Sequence, residues 1–541
     1  MLAWTYANIW DALAAAQPER AALVHGDRSI DWQTFERRAG TLAATLREAG
    51  LRPGSKLGIY LPNTPDYMIA VYAALKISVV PFNVNYRYGP GEIVYLLDNA
   101  DAEAVVFDIA YAGHVQHVRR DLPQVQRWIA VHQHRDPLPA WAIDFDEIVS
   151  GPAAPRIGVE QRSGDDRIII YTGGTTGKPK GVIWRQADLI GVGNYCANVA
   201  MGLPPLSSPD EAGVRAASHP PLSTLVACPL MHGTGLMSAI AALNSGGMAA
   251  TLPGTGFDPV KLLDEAARLR VARISIVGMA FAGPLLDTLD AHPGRWDLSA
   301  VRNINSSGTM WSIENKLGLL RHMPHATLTD TFASSEGFQM ATSHSTAKAM
   351  ADTGRFVLGP NCAVFAEDGR RIEPGSGEAG LVAVAGHIPL GYYKDPEKTA
   401  RTFPVIEGRR WSMPGDWATV EADGTLALLG RGSQCINTGG EKVFPEEVEE
   451  ALKRHEAVRD AAVIGLPDPR FGERICAVIE LERTATNPGL DVLAKFVRSQ
   501  IASFKVPRSM VIVPDLGRAP NGKLDYAAIR RLAIGNEGIA A

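Results

Sequence analysis

Residues 171–181 read YTGGTTGKPKG and follow the apolar run RIII. Four glycines, three threonines and two lysines are packed into eleven residues. Glycine lets the backbone approach a ligand and turn its N–H groups inward, threonine adds hydroxyl donors, and lysine adds charge. That chemistry suits phosphate oxygens, so Thr172, Gly173, Gly174, Thr175, Thr176, Gly177, Lys178 and Lys180 are the first candidate binding residues. A P-loop of the form G-x-x-x-x-G-K-S/T needs a hydroxyl after its lysine and a helix starting there. Here Pro179 follows Lys178, which removes an N–H and the hydroxyl that would reach magnesium. The loop binds phosphate in another way.

The whole chain narrows the partners. Its 541 residues carry a net charge of −5, so there is no long-range field to draw in a nucleic acid. Phosphate binding must be local. The opening MLAWTYANIWDALAAAQPER lacks a basic region and carries Asp11, so it is not a signal peptide. The apolar stretch 67–82 is interrupted by Lys76 and falls short of the roughly 20 residues a transmembrane segment needs. Five widely spaced cysteines (Cys196, Cys228, Cys362, Cys435, Cys476) form no C-x-x-C pair. They fit buried thiols in a reducing cytoplasm and argue against a zinc site or a disulfide framework.

A chain this long exceeds one core, so two or more domains are expected. Helical periodicity at 35–51 and 66–77 alternates with strand-like runs at 56–61 and 79–84, the pattern of a parallel sheet with crossover helices. The stretch 203–220, LPPLSSPDEAGVRAASHP, reads as a long surface loop. Beyond about residue 355 the short runs VFAEDGRRI, GLVAVAG and GTLALLG, set between glycine turns, imply antiparallel sheet or a small barrel. A helical run at 445–455 then opens a compact α+β unit of about 100 residues. The boundary is expected near Arg431–Ser433, giving domains 1–431 and 432–541.

TGGTTGKPKG strongly resembles the phosphate loop of the adenylate-forming superfamily, with Gly173 where serine is usual. Further motifs follow in order. CPLMHGTGL (228–236) resembles the P-L-x-H segment, SSGTM (306–310) the strand-turn along adenine, and TFASSEG (331–337) the aromatic-G-x-T-E motif. WSMPGDWA (411–418) resembles the T-G-D segment, LLGRGSQCIN the hinge linker, TGGEKVFPEEVE (438–449) the pantetheine-tunnel segment, and APNGKLD (519–525) the C-terminal P-x-G-K motif. The resemblance implies a multi-subdomain α/β fold. Two α/β subdomains with mostly parallel sheets and a distorted β-barrel would make the N-terminal domain, and a small mobile α+β domain would follow.

It also implies roles. Lys523 is the catalytic lysine, Glu336 ligates magnesium, and Thr175 and Thr176 hold developing charge. Ser307, Gly308, Thr309, Asp330 and Phe332 surround adenine, Ser335 meets the α-phosphate, Asp416 takes the ribose hydroxyls and Arg431 reaches ribose or phosphate. Ser433 stands at the hinge, and Gly439 and Gly440 line the thiol's path. His232, Gly233, Thr234, Gly235, Gly278, Met279 and Ala280 form the acyl pocket, and their small apolar character points to a hydrophobic acid. The implied reaction consumes ATP with Mg²⁺, forms an acyl-adenylate and transfers the acyl group to coenzyme A. The motifs look closest to bacterial ligases for medium- or long-chain fatty acids and steroid or terpenoid-like acids. The runners-up are an aromatic acid, a carrier-protein acceptor, luciferase-type oxidation and, from another class, a non-catalytic nucleotide sensor. No carrier domain follows residue 541, which favours CoA. Oligomeric state is left open, a homodimer included.

Overall fold

The computed structural model describes residues 2–537 apart from 133–136, 153, 155–156, 173–177, 201–202, 220–221, 255, 310, 432–433, 435, 439–440, 469–471, 502 and 520–521. Thr5 caps the helix Tyr6–Ala16, whose Tyr6, Ile9, Trp10 and Leu13 are buried. The helices Trp32–Glu48 and Pro65–Lys76 and the strands Lys56–Tyr60 and Val80–Asn83 stand where the periodicity places them.

Three sheets organise the described residues. In the first, five strands run parallel in the order Ala249–Thr251, Thr224–Val226, Arg273–Ile276, Asn303–Ser307, Thr327–Ser334. A second sheet centres on the parallel strands Ala102–Asp108, Lys56–Tyr60, Val80–Asn83 and Arg167–Thr172, and Lys180–Arg185 adds antiparallel to the last. The third is small: Ile436–Thr438, Val458–Asp468, Gly472–Leu481 and their neighbours, packed with helices Pro445–Lys453 and Leu490–Gln500.

Two expectations are corrected. The strands beyond residue 355 do not close into a barrel among the described residues. The hairpin Thr327–Ser334/Gly337–Ser345 reverses the chain, and later strands then add antiparallel to that edge. The path ends at Val405–Ile406, far along the sheet from its other end, Arg28–Asp31. The stretch 203–220 is likewise not all loop. Glu211–Ser218 is a helix that buries Ala212, Gly213 and Ala216. It lies so close to the first helix that a Cβ on Gly213 would stand 2.8 Å from the Ala12 carbonyl oxygen.

The N-terminal helices are pinned by buried charge. Lys76, 1% exposed, donates to Asp11 at 2.7 Å and Glu36 at 2.8 Å and lies 4.5 Å from the Tyr72 ring centre. Arg162 adds a 2.6 Å bond to Asp11 and donates to the Lys76 carbonyl at 3.0 Å. Burial raises the Asp11 pKa, but Lys76 and Arg162 overcome it and hold the carboxyl below its usual value. That stabilisation is present above the unfolded carboxylate pKa and is lost as pH falls through the depressed one. Removing the cation leaves Asp11 to Arg162 alone and takes a part-buried partner from Glu36. Lys76→Met is expected to cost about 3 kcal/mol in urea unfolding at neutral pH. A loss below about 1 kcal/mol, the scale of a surface ion pair, would contradict this reading.

Candidate active site

In open parallel sheets, ligands bind beyond the carboxyl ends of the strands. Three of the expected motifs and one stretch of expected pocket residues converge there. The segment 228–236 follows Thr224–Val226, the helix Gly278–Ala291 follows Arg273–Ile276, Gly308 and Thr309 follow Asn303–Ser307, and Phe332 stands near the end of Thr327–Ser334. A cavity of about 2190 Å³ opens at this edge. Thr172, His232, Gly233, Thr234, Met279, Ala280, Ser307, Gly308, Thr309, Asp330, Phe332, Ser335, Glu336, Asp416 and Lys523 all line it.

Local structure explains each position. His232 is the N-cap residue of the helix Gly233–Asn244. The turn before it is tight, and a Cβ on Gly235 would collide with the Pro229 carbonyl oxygen. Glu336 sits in the turn of the hairpin. Its Oε1 accepts from the Tyr392 hydroxyl at 2.6 Å, and its carbonyl accepts from Ser412 Oγ at 2.6 Å. Trp184 Nε1 fixes the neighbouring Ser335 carbonyl at 2.9 Å. Phe332 packs against Phe356 with ring centres 5.9 Å apart. Asp416 and Arg431 are direct cross-strand partners of antiparallel strands, so the two expected ribose contacts share one register position.

Lys523 comes from the small C-terminal unit. Its turn is closed by Ala519 N–H donating to the Lys523 carbonyl at 2.9 Å and Gly522 N–H donating to the Ala519 carbonyl at 2.7 Å. Arg518 supports the turn, donating from Nη1 to the Gly522 carbonyl at 2.9 Å while Nε and Nη2 grip Asp460 at 2.5 and 2.9 Å. Across the boundary, a Cβ on Gly522 would stand 3.1 Å from Thr309. Burial, and then the positive charges of Lys523 and Arg87, push the His232 pKa down to about 4. The ring is therefore neutral at physiological pH.

Several expected residues have protein partners of their own or fall outside the described residues. Lys180 pairs with Asp395 at 2.6 Å, and the Lys178 ammonium lies 4.5 Å from the Tyr95 ring centre. The Asp330 carboxylate is held by buried Lys316 at 2.5 Å. Gly278 begins its helix with its N–H donating to Ser306 Oγ at 2.9 Å. Gly173, Gly174, Thr175, Thr176, Gly177, Ser433, Gly439 and Gly440 fall outside the described residues, as does the side chain of Arg431. Motif reading missed Tyr392, Trp184 and Ser412, because each acts on a motif residue from a distant stretch of chain, and Arg518, whose anchor Asp460 is 58 residues away.

One side of the cavity is two-faced. Met237, Ala241, Met279 and Ala280 give the expected apolar wall. The opposite floor is sheet, and alternation along each strand turns Asn303, Asn305, Thr327, Thr329 and Thr331 into the cavity. Asn303 Nδ2 donates to Thr329 Oγ1 at 2.9 Å and Thr331 Oγ1 donates to Asn305 Oδ1 at 3.0 Å.

His232 reports on the Lys523 turn. An NMR pH titration is expected to find its ring neutral at pH 5 and charging near pH 4. Lys523→Ala is expected to raise that pKa, because one of the charges opposing protonation is gone. An identical titration in the two proteins would mean that Lys523 does not occupy this position in solution.

Two family models match the chain: one described as AMP-binding enzyme over residues 10–393, and one described as AMP-binding enzyme C-terminal domain over residues 447–523. A medium/long-chain-fatty-acid–CoA/3-oxocholest-4-en-26-oate–CoA ligase of Mycobacterium marinum is 38% identical over 531 residues, covering 97% of this chain and 96% of that one. A 3-oxocholest-4-en-26-oate–CoA ligase of Rhodococcus rhodochrous is 40% identical over 522 residues, covering 94% and 92%. Among solved structures, the anthranilate CoA ligase AuaEII in complex with anthranoyl-AMP matches with a TM-score of 0.85 at 19% identity over 98% of both chains. At that identity the likeness concerns the fold. Sequence likeness that runs through both the large body and the small C-terminal unit leaves one assignment: the chain belongs to the AMP-binding enzyme family.

Proposed function

We propose that the chain is an AMP-forming acid–thiol ligase that joins a hydrophobic carboxylic acid to the α-phosphate of ATP and then passes the acyl group to CoA. The observation that carries this reading is Lys523, delivered by the C-terminal unit to a cavity that already holds His232, Phe332, Glu336 and Asp416. Relatives named for medium- and long-chain fatty-acid and 3-oxocholest-4-en-26-oate CoA ligation support the acid class.

In the first half-reaction a carboxylate oxygen bonds to the α-phosphorus. The bond to the bridging oxygen breaks, and its electron pair leaves with pyrophosphate. Phe332 offers a face to adenine, and Asp416 accepts two hydrogen bonds from the ribose diol. Neutral His232 orients the acid without trapping its carboxylate in an ion pair. Lys523 donates to the α-phosphoryl oxygens, where negative charge builds. Backbone and hydroxyl donors of residues 172–177 hold the β- and γ-phosphates. With one Glu336 oxygen taken by Tyr392, the other fits a magnesium ion that arrives on the nucleotide, since a hard cation of this kind needs few protein ligands beside phosphates and water. Magnesium, when bound, would neutralise phosphate charge.

In the second half-reaction the thiol gives its proton to solvent as the sulfur bonds to the acyl carbon, the acyl C–O bond breaks, and AMP leaves with the electron pair. Residues 432–541 rotate about Ser433 as a domain, withdrawing Lys523 and presenting Gly439 and Gly440 to the pantetheine arm. The buried thiol of Cys228 fits the reducing cytoplasm in which we place the enzyme.

Lys523→Ala is expected to slow pyrophosphate release by roughly 10²–10³-fold, the scale of one lost transition-state donor. Thioester formation from preformed acyl-adenylate is expected to survive. Equal losses in both half-reactions, followed by rapid quench, would overturn the assignment of Lys523.

A further inference from the structure

The sheet floor of the acyl cavity ends in polar groups that the reaction does not use. Arg273 begins the strand Arg273–Ile276, lines the cavity, and stands in register with Asn303, itself in register with Thr327. Its Nε is buried without a hydrogen-bond partner, and among the described residues its guanidinium makes no ion pair. Asn303 spends its amide nitrogen on Thr327 and Thr329, yet its Oδ1 is also buried without a partner. Ser275, on the same face of the Arg273 strand, has a third such atom in Oγ. His344, 3.1 Å from Thr329 Oγ1, continues the polar rim.

Such groups are costly. A buried polar atom left unsatisfied keeps its desolvation cost with no hydrogen bond to offset it, and the cost is greater when the group is charged. Burial also lowers the Arg273 pKa, which is the same cost seen as a proton equilibrium. A fold that needed only a greasy tunnel for an alkyl chain would place leucine or valine here, as it does elsewhere in this core. The position matters as much as the chemistry. Asn303 is four residues below Ser307, about 13 Å at strand rise. Ser307 lies beside the adenylation centre, so the polar end lies well removed from the reacting carboxylate.

We infer that the far end of the acyl cavity is a recognition site for a carbonyl-type oxygen on the end of the acid remote from its reacting carboxylate, with Arg273 as the specificity-determining donor. The apolar wall of Met237, Ala241 and Met279 covers the hydrocarbon body, and Arg273 receives the oxygen that body carries at its tail. Nothing covalent happens at this end. Its contribution is the hydrogen bond made by a half-buried guanidinium that, among the described residues, has no ion-pair partner when the substrate lacks the oxygen. The inference rests on the acid-activating reading above and adds the substrate's second functional group.

Steady-state thioester formation tests it with palmitate, a long-chain acid bearing a keto group near its tail, the corresponding dicarboxylic acid, and 3-oxocholest-4-en-26-oate, each with the native enzyme, Arg273→Met and Arg273→Lys. Native enzyme is expected to prefer the oxygen-bearing acids to palmitate. Arg273→Met is expected to lower kcat/KM for those acids by about 10–100-fold, the worth of one hydrogen bond to a charged donor, and to leave palmitate unchanged or improved. Arg273→Lys keeps a cation without the planar fork and is expected to fall between the two. A loss shared by keto acids and dicarboxylate assigns the site to any such oxygen, and a loss confined to one of them assigns it to that group. If Arg273→Met fails to fold, the Lys variant decides. Equal ratios between keto acid and palmitate in native and variant enzyme would overturn the inference while leaving the ligase reading intact. Failure of native enzyme to form a thioester from any acid would overturn both.

Discussion

One positive charge has to cross from the small C-terminal unit into a cavity built by the large one, and much of the site is arranged around that requirement. The Lys523 ammonium reaches the mouth of the cavity because its turn is clamped from behind. Arg518 holds the Gly522 carbonyl and is itself held by Asp460 through two bonds. From the front, the turn rests on Thr309, at the carboxyl end of a central strand. A lysine on a free tail would pay side-chain and loop entropy each time it approached a phosphate. Here most of that ordering is done before substrate binds, and the neutral imidazole of His232 adds no second cation beside it.

The same economy runs through the large body. Residues that are far apart in sequence meet because five parallel strands end at one edge, so single turns after each strand face one space. Asp416 and Arg431 meet by antiparallel register instead, one strand later in the chain facing one earlier. Sheet alternation then does something a helix-lined pocket could not. It gives the cavity a floor whose every second residue is polar while the intervening residues, Ile274, Ile304 and Leu328, fill the core beneath. The cavity is thereby apolar on its helical side and hydrogen-bonding on its sheet side.

That division marks how much was legible in the sequence. Contiguous strings such as CPLMHGTGL, TFASSEG and APNGKLD carry their residues together, so His232, Glu336 and Lys523 were readable and do line one cavity. The α/β alternation and the late C-terminal unit were readable from periodicity for the same reason. The polar floor was not, because Arg273, Asn303 and Thr329 lie on three strands and become neighbours only through pairing. Arg518 near an exposed turn looks like a solvated charge until Asp460 is placed beside it. Lys180 reads as a phosphate ligand from its place in the loop, and its pairing with Asp395, distant in sequence, could not be read there. The helix Glu211–Ser218 was hidden by the Pro- and Ser-rich residues before it, and its small face declares itself only against the first helix.

The central claim is that the acid's own oxygen bonds to the α-phosphorus of ATP. Carboxylic acid enriched in heavy oxygen, incubated with ATP and CoA, puts this to the test when the nucleotide product is weighed by mass spectrometry. The account requires AMP carrying one heavy oxygen, because that atom stays on phosphorus when the thiol displaces the nucleotide. Unlabelled AMP, or ADP with labelled phosphate, would contradict it.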